Sequence, residues 1–496
     1  MTAMPMGPTA TLAAFAAGLD PATVPPSAMH AAKRLVIDWL GCRAGGSRSE
    51  AGRLAAAWAG TATGAAGAAG TRASSRDGRG TGRPDAPLFA AYLDARLAAV
   101  LDADETYPGA RQTSHLAAAT VAAALGGGAS RSPSGAAFLA AVIAGYEVGA
   151  RISDGMVPAA APLSRSLRAG WGPGSVLGAT AAAGRAMDLD ARRLAHAFGI
   201  AGTHIDAAPI QWPVVRPAPM AKSADAGWHA VTAVAAVQQA AIGLTGYDAI
   251  LDGSDGLWRA LGYEASDDAA LVAGLGKRWI IEEAALKRWP CQYWMQPALT
   301  ALAQALERSR VEPAAVERIV LATNDKSRSA KFRDPDPPGE IDRAFSFPHA
   351  AAMLVVGIRP GPGWSDDAVA ERRDVRRLRA LVSVERHPDA DAIDDWVVDH
   401  RYRELPASAA VTAYGATTTA EVRAGLGSPW APETRLTDAV LIEKALDMAR
   451  WPDDHGPAVA ALRGAIDWVL EAETHLDTAE LIRLLDVDSA NASETT

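Results

Sequence analysis

The sequence predicts a mainly α-helical protein with a smaller α/β part, and three observations support this fold class. Alanine-rich segments with apolar residues at helical spacing fill much of the first half of the chain. Short β-branched segments with roughly alternating polarity appear from about residue 276 onward. Helical patterns then return after Thr419. At 496 residues, the chain has room for two or more domains and a sizeable hydrophobic core.

Several helices are predicted in the first half. Ser27 could cap a helix over AMHAAKRLVIDWL, and Gly41 could end it. Further helices are predicted in PLFAAYLDARLAAVLDAD, SHLAAATVAAAL, LDARRLAHAFGIAG and HAVTAVAAVQQAAIG. The apolar segment 136–150 contains Glu147 and is shorter than the roughly 20 residues of a membrane span. We therefore predict that it is a buried helix.

The α/β part is predicted from three strand-like segments, VERIVLATN (316–324), LRALVSVER (378–386) and ASAAVTAYG (407–415). A helix is predicted in FPHAAAMLVVG, between the first two. The segments TDAVLIEKALDMA and VAALRGAIDWVLEAE predict helices again. The expected domains are therefore a helical domain formed by residues 1–273 and 416–496, and an α/β domain formed by residues 274–415.

Charge and cysteine content narrow the function classes. The net charge of -9 and the pI near 5.6 give no electrostatic reason to expect nucleic acid or an anionic membrane as a partner. No basic residue precedes the apolar patch near the N-terminus, so a signal peptide is not expected. Cys42 and Cys291 are far apart, which argues against a disulfide framework. We expect a cytoplasmic protein.

Common cofactor and metal motifs are not found. The sequence contains no GxxxxGK[ST], HExxH, CxxC or EF-hand pattern. The segment DGSDG (252–256) misses the GxSxG spacing and favours a turn. Asp102, Asp104 and Glu105 could suggest a cation site, but no further ligand can be identified. No metal and no cofactor are therefore predicted.

Seven segments, in this order, resemble landmarks of the MmgE/PrpD family: LVIDWLGCRAGG (35–46), AAVLDADET (98–106), IAGYEVGARI (143–152), FGIAGTHIDA (198–207), KSADAGWHA (222–230), LKRWPCQY (286–293) and FSFPHAAAMLVVG (345–357). The resemblance implies a large all-helical domain capped by an α/β lid domain, usually in a homodimer. The family includes 2-methylcitrate dehydratase, cis-aconitate decarboxylase and iminodisuccinate epimerase. These enzymes act on small polycarboxylates by acid/base chemistry, generally without a redox cofactor.

The resemblance implies catalytic roles for residues of the acidic segment. Asp102 and Thr106 match the first Asp and the Thr of the family motif D-F-D-D-T, and they would share a helical face if the preceding helix extended so far. A solvated position is the expectation for Glu105. His115 corresponds to the family histidine after this motif, and it is either a proton carrier or a structural residue.

Two lysines complete the catalytic candidates. Lys222 matches the lysine of the family segment K-x-x-H-A-G, and Lys287 matches that of K-x-[FYW]-P. Without the resemblance, both would be interpreted as solvated charges. If both face one cleft, they could bind a carboxylate, stabilise an enolate-like oxyanion or donate a proton.

The substrate-binding candidates are Arg168, Trp171, Asp225, Arg288 and His349. The two arginines are either carboxylate clamps or surface charges. Asp225 and His349 depart from the family, since they stand where a histidine and often a tyrosine are found. Gly172 is a further departure, because it replaces a common histidine. Tryptophans near the landmarks are either core residues or an aromatic wall for a bulkier substrate: Trp171, Trp212, Trp228, Trp289 and Trp294.

Three hypotheses follow for function. The first is a cofactor-independent lyase, a dehydratase or decarboxylase, that acts on a small organic acid. The second is an isomerase, epimerase or cyclase of specialised metabolism that has an aromatic-lined pocket. The third is a non-catalytic binding protein derived from the family, suggested by Gly172 and Asp225. In each case the expected partners are a small molecule and a second copy of the chain.

Overall fold

Helices make up most of the structure, a computed structural model that describes residues 6–62, 86–157, 172–205, 216–222, 224–452 and 456–490. The first helices are α1 (Pro8–Gly18), α2 (Pro26–Gly46), α3 (Glu50–Ala62), α4 (Pro87–Ala99), α5 (Ala117–Gly128), α6 (Gly135–Gly155), α7 (Gly172–Ala186), α8 (Ala191–Gly202), α9 (Ala224–Ala241), α10 (Leu257–Ala260) and α11 (Asp268–Val272). The short strands β1 (Met156–Val157) and β2 (Ala265–Ser266) pair antiparallel beside them.

The α/β part follows, and it is built on a four-stranded sheet. Its elements in chain order are α12 (Gln296–Ser309), β3 (Val316–Thr323), α13 (Glu340–Arg343), α14 (Phe347–Val356), α15 (Asp367–Ala370), α16 (Arg373–Arg379), β4 (Val382–Arg386), β5 (Val397–Val398), β6 (Arg401–Tyr402), β7 (Ala407–Ala413) and β8 (Ala416–Val422). The strand order is β4-β3-β7-β8, with β3 parallel to β4 and β7 antiparallel to both of its neighbours. The fold is therefore mainly α with an α/β part, as the sequence predicts.

The alternating residues of β3 explain how the sheet packs. Ile319 and Leu321 are fully buried and belong to one apolar core with residues of α12 and α14.

The segment predicted as the second strand is a helix, α16, in its basic first part and becomes β4 only at Val382. The expected domain boundary at residue 415 falls in the turn between β7 and β8, so the sheet extends to Val422. The threonine-rich β8 alternates too weakly to be recognised from its sequence.

The C-terminal helices α17 (Asp438–Ala449), α18 (Pro457–Leu470) and α19 (Ala479–Ala490) pack against the N-terminal helices. The contact between α2 and α17 is close, since a Cβ on Gly41 would lie 2.4 Å from the Cα atom of Ala445. Because α2 continues to Gly46, Gly41 lies inside this helix and does not end it, contrary to the expectation. The expected capping residue Ser27 also lies inside α2, which begins at Pro26.

The helix α6 is the one described helix that is long and apolar enough to cross a membrane. It has 21 residues and so extends beyond the apolar segment 136–150, within which a buried helix was predicted. Most of its residues are nevertheless buried among the other helices, including Glu147 and Arg151, which pair with each other. The burial, not the length, identifies α6 as a core helix.

Candidate functional site

The acidic residues after α4 form a buried loop. A shared helical face of Asp102 and Thr106 was expected only if the preceding helix reached them. The helix ends at Ala99, so they do not share one. Asp102 instead has a φ angle of 55°, in the left-handed region that aspartate tolerates better than most residues. The side chains of Asp102, Asp104, Glu105 and Thr106 are all buried. The loop therefore faces the interior of the protein.

Lys222 and Lys287 both contact the carboxylate of Asp102. Nζ of Lys287 lies 2.6 Å from Oδ1 of Asp102, and Nζ of Lys222 donates a hydrogen bond to Oδ2. Lys287 also lies 3.5 Å from Oδ1 of Asp104. Folding thus brings together groups that are 120 and 185 positions apart in the chain. This is the convergence expected from the sequence; the chemical roles of these residues remain predictions.

The two lysines control the charge of Asp102. Burial alone would raise the pKa of this carboxyl group, but Lys222 and Lys287 outweigh it and hold the pKa well below its usual range. Burial would lower the pKa of Lys287, yet Asp102 and Asp104 raise it above its usual value. Asp102 therefore stays ionised at neutral pH. A permanent carboxylate of this kind suits a residue that orients two ammonium groups better than one that accepts protons.

Lys222 is positioned through its main chain by an arginine of α4. Nη1 of Arg96 lies 2.6 Å from the carbonyl oxygen of Lys222, and Nη2 donates to that of Met220. The amide of Lys222 also donates to the carbonyl oxygen of Pro219, at 3.0 Å. These bonds fix the turn from which the Lys222 side chain reaches Asp102.

Lys287 follows a segment that is held from two sides. On one side, the amide of Thr106 donates to the carbonyl oxygen of Ala285 at 2.8 Å, and the reverse bond is 3.0 Å. On the other side, the amide of Leu286 donates to the carbonyl oxygen of Gly427, which has a φ angle of 94° and no room for a Cβ atom. The buried hydroxyl of Thr106 has no hydrogen-bond partner among the described residues. Thr106 thus couples the acidic loop to Lys287 through its backbone.

His115 lies beside the second carboxylate of the loop. Its Nδ1 is 2.9 Å from the carbonyl oxygen of Glu105 and 3.2 Å from Oδ2 of Asp104. Both oxygens are acceptors, so Nδ1 carries a proton, and the contact with Asp104 is an ion pair when the ring is charged. Burial would lower the pKa of His115, but Asp104 outweighs burial and raises it. Five side chains are thus connected and form the inner cluster: Asp102, Asp104, His115, Lys222 and Lys287.

Glu105 is fully buried, so its expected solvated position is wrong. One carboxylate oxygen accepts hydrogen bonds from the amides of Leu116 and Ala117 at the start of α5, and the other accepts from the hydroxyl of Tyr146, at 2.7 Å. Burial is the larger effect and raises the pKa of Glu105 to about 7. Through its bonds to the two amides, Glu105 caps the start of α5, where the helix dipole favours the charged carboxylate and opposes the effect of burial.

A further buried lysine supports the acidic loop from behind. Nζ of Lys444, on α17, lies 2.5 Å from Oδ1 of Asp38 and 2.8 Å from the carbonyl oxygen of Ala103. The close contact at Gly41 allows α17 to approach α2 near Asp38. Lys444 thereby connects the C-terminal helices to the loop that carries Asp102. No motif in the sequence identifies Lys444 as a residue of this site.

Lys331 also lies near the inner cluster, and it was not predicted. Its Nζ lies 4.0 Å from the ring centroid of Phe345 and 4.8 Å from that of Phe332. Nζ of Lys222 lies 5.0 Å from the same Phe345 centroid. Lys331 belongs to a charged loop segment, KFRDPD, which resembles many exposed loops. The sequence around Lys331 therefore does not indicate that this side chain is partly buried.

Two substrate-binding candidates lie apart from Asp102. Burial lowers the pKa of Arg288, and Asp447 and Glu443 of α17 partly oppose this effect. The carboxylates that act on Arg288 are therefore those of α17 and not those of the acidic loop. Asp225 is buried in the first turn of α9, where its Oδ1 accepts from the next amide and its charge acts on Arg96.

His349 does not join the inner cluster either. His349 is buried at the start of α14, with Nε2 2.6 Å from the carbonyl oxygen of Trp364. Burial lowers the pKa of His349 to about 3, so this imidazole stays neutral at ordinary pH. Arg168, Trp171 and Trp212 lie outside the described residues.

The described tryptophans do not form a wall of the site. Trp289 belongs to the apolar core of the α/β part, and Trp294 packs on the ring of Tyr402. Trp228 is about half exposed and contacts the ring of Trp58. Phe345 is the aromatic ring beside Lys222, and two tyrosines, Tyr293 and Tyr402, line a pocket together with Lys287. Among the described residues, no three His, Cys, Asp or Glu side chains form a group that could hold a metal ion.

Comparison with known proteins agrees with the resemblance seen in the sequence. Residues 10–269 match the MmgE/PrpD N-terminal domain, and residues 289–467 match the MmgE/PrpD C-terminal domain. No curated protein matches the chain closely enough to be called a relative. The two matches cover most of the helical body and of the α/β part, and the first includes Asp102, Asp104, His115 and Lys222. Lys287 lies in the short gap between the two matches. The chain belongs to the MmgE/PrpD family.

Proposed function

We propose that the protein is a lyase of the MmgE/PrpD type that acts by acid/base chemistry on a small carboxylate-bearing substrate. The main support is the arrangement of Lys222 and Lys287 on the single buried carboxylate of Asp102. Two ammonium groups fixed in this way can stabilise negative charge that develops on a substrate carboxylate as a neighbouring carbon becomes carbanion-like. This charge development is common to the loss of water and the loss of CO2.

In this proposal, His115 carries the proton. Asp104 favours the imidazolium form, which can donate a proton to carbon or to a leaving hydroxyl. In a decarboxylation, the bond to CO2 breaks, its electron pair remains on the substrate carbon, and His115 protonates that carbon. In a dehydration, neutral His115 takes the proton from the carbon next to the acid group, and the electron pair of that C–H bond forms the new C=C bond. The imidazolium formed in this way donates the proton to the hydroxyl, which departs as water. Asp102 keeps both lysines in place throughout.

An isomerase, epimerase or cyclase is the second candidate. It would use the same carbanion-like intermediate but return the proton to carbon, or form a bond from it, without losing a group. The ring of Phe345 beside Lys222 is the observation in its favour, because an aromatic surface suits a substrate with an apolar portion. The lyase is placed first because of the family's commonest activities.

The shared intermediate can be tested by exchange of carbon-bound hydrogen with solvent deuterium. We expect the protein to catalyse this exchange, seen by NMR, in at least one member of a panel of 2-hydroxy, unsaturated and amino di- and tricarboxylates. Lys287→Met and His115→Asn should abolish the exchange, whereas Lys277→Met, at an exposed lysine, should not. If no panel member undergoes exchange or turnover, or if Lys287→Met remains fully active, the proposal is wrong and a binding protein is favoured. Identification of the product then separates lyase from isomerase.

We further propose a homodimer that acts in the cytoplasm. The homodimer follows from the family resemblance, and Cys42 and Cys291 are both buried free thiols, which suits a reducing compartment. Light scattering of the purified protein tests the dimer. A mass of about 51.4 kDa, the mass of one chain, would contradict it.

A further inference from the structure

Lys331 is a partly buried cation without a carboxylate partner. Four other lysines, Lys33, Lys222, Lys287 and Lys444, each form an ion pair with an Asp or Glu. In the part of the chain that the structure describes, the ammonium group of Lys331 has no such partner and donates no hydrogen bond. It contacts only the faces of Phe345 and Phe332, which attract a cation weakly compared with a carboxylate. Its charge is therefore not neutralised by a direct ion pair.

The surroundings of Lys331 connect it to the inner cluster. The ammonium groups of Lys222 and Lys331 both contact the ring of Phe345, so the two lysines lie beside the same aromatic side chain. Burial and then the charge of Lys222 lower the pKa of Lys331 to about 7, while Asp102 and then Asp342 oppose this more weakly. At neutral pH the amine is therefore present in both its neutral and its charged form. An anion bound beside it would favour the charged form.

The balance of charge indicates what the site would bind. The inner cluster contains three basic side chains and two carboxylates, so it has an excess of positive charge when His115 is protonated. One carboxylate of a substrate would balance this excess. Lys331 adds another cation beside Phe345, where a second anionic group would balance its charge. A substrate with two anionic groups thus satisfies both parts of the site.

We propose that Lys331 is a specificity-determining residue that binds a second acidic group of the substrate, away from the carbon at which the reaction occurs. This inference rests on the proposed function, because it assumes that the inner cluster binds the reacting carboxylate. When the substrate binds, the neutral fraction of the Lys331 amine takes up one proton from solvent, and the resulting ammonium group donates hydrogen bonds to the second acidic group. Substrate binding is therefore linked to proton uptake at Lys331.

The test compares dicarboxylates with their monoamides, which keep the shape but lose one charge. The probes are succinate, fumarate, glutarate and citraconate, each paired with its monoamide, and binding is measured by titration calorimetry in buffers of different ionisation enthalpy. For the wild-type protein at about pH 7, we expect uptake of about half a proton per dicarboxylate bound. Lys331→Met should bind the dicarboxylate about 10- to 100-fold more weakly, close to the monoamide, and take up no proton at this residue.

Two further variants serve as controls. Lys331→Arg keeps a positive charge that does not titrate, so it should retain most of the affinity but lose the proton uptake. Lys277→Met, at an exposed lysine, should change neither property. A purely structural role of Lys331 would not separate affinity from proton uptake in this way. The inference is overturned if the wild-type protein binds no dicarboxylate, or binds each dicarboxylate and its monoamide equally.

The inference and the proposed function can fail separately. If dicarboxylates bind with proton uptake at Lys331 but no substrate exchanges hydrogen or turns over, the proposed reaction is wrong and the binding role of Lys331 stands. If exchange occurs and Lys331→Met changes neither affinity nor selectivity, the reaction stands and the role of Lys331 is wrong.

Discussion

Lys331 is expected to destabilise the fold at neutral pH, so Lys331→Met should stabilise it. The pKa falls from 10.5, the usual value for lysine, to about 7 in the folded protein. Between these values the unfolded state binds more protons, so the free energy of unfolding rises with pH across this range. At about 1.36 kcal/mol per tenfold change in proton affinity, the cost at pH 7 is at most about 4 kcal/mol. Relaxation around the amine reduces it, and we expect a gain of about 1 to 3 kcal/mol for Lys331→Met.

Urea denaturation at about pH 7 and at about pH 10 tests this reasoning. Methionine can fill the space between Phe345 and Phe332, so changes in packing should be small and independent of pH. The gain from Lys331→Met should therefore be present at the lower pH and nearly absent at the higher one. Lys277→Met provides the control at an exposed lysine. An equal effect of Lys331→Met at both pH values would show that Lys331 titrates normally and would refute the argument.

Three further predictions concern the acidic loop and its supports. Asp102→Asn leaves two ammonium groups without their shared carboxylate and should lower the free energy of unfolding by about 3 to 5 kcal/mol; a loss below about 1 kcal/mol in urea denaturation would contradict the ion-pair assignment. The rate of hydrogen exchange in a substrate should rise as pH rises through the raised pKa of His115, because the neutral imidazole must first take the proton from carbon; a rate that stays constant across this range would exclude His115 as that base. Gly41→Ala would place a methyl group 2.4 Å from the Cα atom of Ala445 and should cost about 1 to 3 kcal/mol; an unchanged melting temperature would mean that α2 and α17 separate easily.

The regular elements were predictable where one pattern repeats over many residues. The period of β3 and the alanine-rich sequences of α5 and α8 gave their type correctly. The ends of elements were harder to predict, because a terminus depends on tertiary contacts. Gly41 resembles a helix stop in sequence, but its lack of a Cβ atom serves a contact with a helix 400 residues later. The sequence of α2 alone holds no information about that contact.

The candidate site was predictable to the extent that family motifs mark it. Asp102, Lys222 and Lys287 are found together, as the motifs imply. Glu105 was placed wrongly because nothing in its local sequence shows that two amides and a tyrosine hydroxyl would satisfy a buried carboxylate. Lys331 could not be identified either, because its partial burial depends on its contact with Phe345, which folding brings to it. Pairwise spacing cannot encode such surroundings.

The position of Lys444 has a consequence for biosynthesis. A ribosome makes the Asp102 loop early, but the ammonium group that holds the carbonyl oxygen of Ala103 arrives only after more than 300 further residues. Until α17 has emerged and docked, the nascent polypeptide presents an acidic segment without its rear support. Catalytic competence should therefore appear late and abruptly during translation, and a chain released before α17 would be inactive even with every residue of the inner cluster present.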